Sequence, residues 1–195
     1  MITRFWWVRH GPTHAKAAIG WTDLPADLSD TAALDRLSAY LPQKATLISS
    51  DLQRARATAD AIQNARPRLA HTRDLREMHF GEWEGMPFAD IAKRDPEISR
   101  KFWENPGKTA APNGESWDML STRISGAVDD LTNAHSAKDI IIVTHFATIL
   151  TALQRASNMS ARAAFSFKID NLSVTRLDYL HDTKSWRVMG VNHLV

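Results

Sequence analysis

A run of strand-forming residues, Phe5-Trp6-Trp7-Val8, ends on Arg9-His10-Gly11-Pro12-Thr13. With no polar alternation it reads as a buried parallel strand, and Gly11 and Pro12 stop it. Arg9 and His10 then stand at the carboxyl end of a strand, where open α/β sheets bind their ligands. A guanidinium is a permanent bidentate donor, and a neutral imidazole is a good nucleophile near pH 7. Side by side they suit a phosphoryl group. A second apolar strand, Asp139-Ile140-Ile141-Ile142-Val143-Thr144, delivers His145 in the same way. The two histidines become neighbours if these strands are adjacent in the sheet. Ser49-Ser50-Asp51-Leu52-Gln53-Arg54 runs from a strand end into a helix start, where free N–H groups and the helix dipole favour anions. Arg54 falls one turn in, within reach of an anion held there. Between Leu75 and Gly85 lie three carboxylates, Glu77, Glu82 and Glu84, with two glycines and Trp83. A carboxyl group shielded by aromatics has a raised pKa and serves as a general acid, but spacing does not choose among the three. Taken singly, each piece also has an ordinary reading. His145 fits a hydrogen-bonded structural histidine, Arg54 a solvated arginine like Arg56, and Glu82 and Glu84 exposed loop charges or helix caps.

The surrounding pattern supplies elements to position these residues. Ser29 or Asp30 caps a helix carrying Ala33, Leu34, Leu37 and Leu41 on one face, ended by Pro42. Thr46–Ser49 is a short strand. Ser50 or Asp51 caps a helix with Leu52, Ala55, Ala59 and Ile62 at helical spacing. A strand is expected near residues 68–72, helices over 87–94 and around 113–134 with a Pro/Gly loop at 105–113 between them, and a helix over 147–156. The end of the chain reads as antiparallel strands at 164–169, 173–179 and 186–191. Strands alternating with helices predict an α/β, three-layer sandwich: a mostly parallel central sheet, helices on both faces and an antiparallel edge. At 195 residues the chain is most economically a single domain, 1–195.

In order, these segments resemble the histidine phosphatase superfamily, the phosphoglycerate mutase-like family. The resemblance rests on Arg-His-Gly at 9–11, Ser-x-Leu-x-Arg-Ala-x-x-Thr-Ala at 50–59 and Glu-x-x-x-Gly-x-Trp-Glu-Gly at 77–85. Gly114-Glu115-Ser116 with Arg123, Val-Thr-His at 143–145, the Asn171–Thr175 strand and Asn192-His193-Leu194 extend it. By motif position it implies that His10 is a nucleophile forming a phosphohistidine. Arg9, Arg54 and His145 would surround the non-bridging oxygens, and Glu77 would act as acid and then base. Thr13 and Lys16 are further substrate-binding candidates, and no metal or other cofactor is implied. The implied activity is a phosphomonoester hydrolase acting on a small phosphorylated metabolite. The chain departs from the family pattern at Pro12, where Glu or Gln is common, at Lys16, where many members carry Asn, and at Phe146, where Gly is usual.

Composition bounds the partners. There are 24 Lys and Arg against 22 Asp and Glu, a net charge of +2, and no cysteine. So small an excess makes no case for nucleic acid, and disulfides and thiolate metal sites are excluded. No 18-residue apolar segment or signal peptide is evident, so no membrane partner and a cytoplasmic protein are expected; oligomeric state is left open. Phosphoglycerate mutase-type transfer is the main rival within the family, though mutases usually have longer chains. A weakly catalytic binding or regulatory member of the same fold is the non-enzyme alternative. A zinc pair from His10 and His14 has helical spacing, but Gly11 and Pro12 between them argue against a helix.

Overall fold

The computed structural model describes residues 1–195. Five strands form one sheet: β1 (Ile2–Arg9), β2 (Thr46–Ser49), β3 (Asp139–Thr144), β4 (Val174–Leu180) and β5 (Ser185–His193), in the order β2-β3-β1-β4-β5. β1 and β2 both run parallel to β3, while β4 and β5 continue antiparallel from β1. This is the expected mostly parallel sheet with an antiparallel edge. Register places Arg9 opposite Thr144, so His10 and His145 leave neighbouring strands at the same level.

The buried runs alternate between the two faces. Phe5, Trp7, Ile140, Ile142 and Leu177 pack on one side with α5 (Trp117–Ala134) and α6 (Phe146–Ser157). Val8, Leu47, Ile141 and Val143 pack on the other with α1 (Thr31–Tyr40) and α2 (Gln53–Ile62). Asp30 caps α1, its carboxylate accepting from the Ala33 N–H at 2.9 Å. α3 (Phe88–Arg94), α4 (Pro96–Glu104) and α7 (Ala161–Ala164) complete the helices.

Several local expectations are corrected. Residues 68–72 form only isolated bridges, Leu47 with Arg68 and Ser50 with Thr72. Neither Ser50 nor Asp51 caps α2. Leu52 holds that position without a side-chain bond, because Asp51 is drawn into a two-pronged ion pair with Arg76 at 2.7 Å. The strand expected at 164–169 is instead the end of α7, capped by Ser160, followed by a loop. α4 was not foreseen; Pro96 opens it, a position where a missing N–H costs nothing.

Candidate active site

Arg54 joins the two histidines. Its Nε–H is shared between Nε2 of His10 and Nδ1 of His145, each at 3.2 Å, and the two rings lie 5.0 Å apart between centroids. The rest of its fork is tied back to the loop between β1 and α1. Nη1 donates to the Thr22 carbonyl at 2.9 Å and Nη2 to the Gly20 carbonyl at 2.6 Å. The side chain is fully buried, so the reading of Arg54 as a solvated arginine fails, whereas Arg56 is exposed.

These bonds fix the tautomers. Nδ1 of His10 lies 2.7 Å from the carbonyl of Gly11 and must donate to it, which leaves the Nε2 lone pair to accept from Arg54. Burial, reinforced by the Arg54 charge, pushes the His10 pKa down to about 3, so the ring is neutral across the physiological range. Asn171 Nδ2 donates to the His10 carbonyl at 2.7 Å, and the Thr58 hydroxyl accepts the Gly11 N–H at 2.9 Å. The base of the loop is therefore held from both sides. His145 uses Nδ1 as acceptor, so its proton sits on Nε2, a buried atom with no partner in the protein. Burial and then Arg54 hold this ring neutral too. It acts as a donor rather than as a cation.

Glu77 is buried where the N-terminus of α6 begins. Its carboxylate accepts from the Met78 N–H at 3.0 Å and the Ala147 N–H at 3.1 Å. Burial raises its pKa, and these bonds and the Arg54 charge only partly offset that. Its backbone is clamped: the Trp21 indole and Arg123 both donate to its carbonyl, at 2.8 and 3.1 Å. Arg123 is itself held in a two-pronged pair with Glu115. Arg9 lies beside them, donating from Nη1 to the Ile169 carbonyl at 2.5 Å, while its buried Nε has no partner.

A cleft of about 490 Å³ is walled by Arg9, His10, Thr13, Arg54 and Glu77 and by apolar side chains that include Phe146, while His145 is fully buried and is not part of its wall. Phe146 therefore narrows the cleft, with the Arg9 guanidinium 5.4 Å from its ring centre. Lys16 is exposed and does not line the cleft, although its neighbours Ala15 and Ala17 do. His14 also turns outward, 2.8 Å from Asp27, so it is not paired with His10.

Sequence reasoning missed Glu84. Its backbone ends the short 3-10 turn Gly81–Trp83, but its half-buried side chain is no exposed charge. Its carboxylate accepts five bonds: from the N–H groups of Gly20, Trp21, Thr22 and Phe80 and from the Thr22 hydroxyl, at 2.6–3.1 Å. Burial pushes its pKa up, but those bonds outweigh it and hold the group ionised. Glu84 thus shapes the loop whose carbonyls seat Arg54. Gly20 is required there, since a Cβ would fall 2.0 Å from the Met78 carbonyl oxygen. The only sequence signal was the Trp-Glu-Gly motif around it. Glu82, by contrast, is exposed and pairs with Arg94.

A family model described as histidine phosphatase superfamily (branch 1) matches residues 5–192. The chain belongs to this superfamily. It is 27% identical to the Bifunctional protein Rv2228c of Mycobacterium tuberculosis over 94% of this chain, and it spans about half (52%) of that relative's length. It is 27% identical to the adenosylcobalamin/alpha-ribazole phosphatase of Salmonella typhimurium, with 96% of each chain covered. Among solved structures, Bacillus stearothermophilus YhfR superposes with a TM-score of 0.89 at 24% identity, over 99% of this chain and 98% of that one. The resemblance read from the motifs is therefore correct at the level of family, and phosphatases are among the relatives.

Proposed function

We propose that the protein is a metal-independent phosphomonoester hydrolase that works through a phosphohistidine on His10. The observation that carries this reading is the single Arg54 N–H set between two neutral imidazoles of opposite tautomer. One ring presents a lone pair and the other an N–H, with guanidinium charge between them, as a nucleophile and its oxyanion donors require.

In the first step Nε2 of His10 attacks phosphorus. The ester P–O bond breaks in line, and the neutral carboxyl of Glu77 gives its proton to the departing alkoxide. Arg9, Arg54 and Nε2–H of His145 bind the equatorial oxygens, and Thr13 lines the approach. In the second step water attacks the phosphohistidine and loses a proton to the Glu77 carboxylate. The N–P bond breaks, returning His10 and releasing inorganic phosphate. Imidazole serves because it is both a nucleophile and a good leaving group. Lys16 receives no role. Hydrolysis is favoured over mutase-type retention because the rim of the cleft is open: Phe88 on it is 51% exposed. The single-domain organisation over 1–195 and a cytoplasmic setting belong to the same reading; no helix is long and apolar enough to cross a membrane.

The test is hydrolysis of 4-nitrophenyl phosphate by wild type and His10→Ala, with phosphate release from 3-phosphoglycerate and its bisphosphate measured alongside. Phosphate release that His10→Ala abolishes supports the reading. Equal rates for both proteins would defeat it, and isomerisation of the phosphoglycerates without release would favour a mutase.

A further inference from the structure

Beyond the charged floor, the cleft changes character. The ionisable residues that line it are Arg9, His10, Arg54 and Glu77, and every one is already engaged by the phosphoryl chemistry. No other cation is among the residues that line it. A substrate with a second acid group, such as a carboxylate or another phosphate, would bury that charge without a partner and beside Glu77, which is expensive.

The opposite wall is aromatic. Phe88 from α3, Trp103 from α4, Phe80, Phe146 and Phe165 after α7 all line it. Phe88 and Trp103 meet edge to face at 5.7 Å, and Trp103 and Phe165 at 6.5 Å. Phe88 is 51% and Trp103 38% exposed. Two large rings left half in water at the mouth of a concave site mark a binding surface, because covering them returns free energy in proportion to apolar area. The mutually tilted rings make a cup that accepts another ring by its edge or face. At about 490 Å³ the cleft is within the range of small-molecule sites and holds much more than a phosphoryl group.

We infer that the substrate is the phosphate monoester of an apolar, ring-bearing alcohol that carries no second acidic group. This rests on the hydrolase reading above and narrows it.

The experiment compares 2-phenylethyl phosphate, propyl phosphate and 3-phosphoglycerate. All three are alkyl esters, so differences in kcat/KM report mainly on the cleft. Expected is a preference of about ten- to a hundredfold for phenylethyl over propyl, from burying one more ring, with 3-phosphoglycerate slower than propyl. Phe88→Ala, which alters a half-exposed side chain and leaves the core intact, should shrink the phenylethyl-to-propyl ratio by about fivefold, and Phe88→Lys should raise 3-phosphoglycerate relative to propyl phosphate. Calorimetric binding of 2-phenylethylphosphonate and 2-carboxyethylphosphonate tests the cleft without turnover. If no ester is hydrolysed but the phenyl phosphonate binds at least tenfold tighter, the hydrolase reading falls and the cleft assignment stands. Turnover of 3-phosphoglycerate as fast as the phenyl ester, a ratio unmoved by Phe88→Ala, or equal binding of the two phosphonates would overturn the assignment.

Discussion

Glu84→Gln separates a positioning role from simple loop stability. The carboxamide is isosteric but keeps one acceptor oxygen. Its NH2 must face either the Trp21 and Phe80 N–H groups or those of Gly20 and Thr22, since only the Thr22 hydroxyl can turn round to accept. At least two charge-assisted bonds are lost, worth about 1.5–3 kcal/mol each. The group is half-buried, so water recovers part of this, leaving about 2–4 kcal/mol against the native loop. The Gly20 and Thr22 carbonyls then no longer hold Arg54, whose Nε drifts from the two imidazoles. A misplacement of about 1 Å in such a group costs on the order of a hundredfold. The assay is kcat/KM for 4-nitrophenyl phosphate and the Ki of inorganic phosphate at 25 °C, with urea unfolding to establish that the variant is folded. The expectation is a fall in kcat/KM of about a hundredfold together with a raised phosphate Ki. A folded Glu84→Gln protein that is less stable yet retains wild-type kcat/KM and Ki would refute the reasoning, because Glu84 would then matter only to the loop.

Three further outcomes follow from the site. Glu77→Gln should slow alkyl esters at least tenfold more than aryl esters, since only poor leaving groups need the proton; equal slowing in a leaving-group series would remove Glu77 from that role. The lowered His10 pKa makes the fold acid-sensitive: below pH 6.5 the unfolded chain takes up a proton that the folded ring refuses until about pH 3, so stability falls across that window. At about 1.4 kcal/mol for each pH unit, His10→Gln should lose roughly 2–3 kcal/mol less stability than wild type between pH 7 and 4.5 in urea titrations. Glu77, with its pKa raised, acts with the opposite sign, adding stability at low pH that is lost as pH rises through its folded value. Finally, Gly20→Ala should lower both the melting temperature and kcat/KM, because a Cβ there meets the Met78 carbonyl; a fully active Gly20→Ala protein would show that the loop can move without disturbing Arg54.

What was legible was local or periodic. The apolar runs of β1 and β3 announce buried strands whatever surrounds them, so Arg9, His10 and His145 could be placed at strand ends before their adjacency was known. The cap of α1 is narrowed to Ser29 or Asp30, and Asp30 holds it, because an N-cap is a contact three residues long. Where a distant partner competes, local reading fails. Asp51 is a good cap by type, but Arg76, 25 residues on, takes its carboxylate. The 164–169 segment has strand-forming phenylalanines, but Ser160 caps a helical turn first and Phe165 packs on Trp117 at 4.5 Å. Glu84 was misjudged for the same reason: four of its five donors lie more than 60 positions away, in the 20–22 loop. Arg54 was identified through its motif, whereas the direction of its fork depends on that loop and could not be read from spacing.

The central claim is that His10 itself becomes phosphorylated. Wild-type protein mixed with 4-nitrophenyl phosphate and quenched in alkali within milliseconds, followed by peptide mass analysis, tests it directly. The account predicts an acid-labile, alkali-stable phosphoryl group on the peptide carrying His10, formed at least as fast as turnover and absent from His10→Ala. Steady turnover with no phosphorylated His10 peptide at any quench time, or the label on another residue, would contradict it.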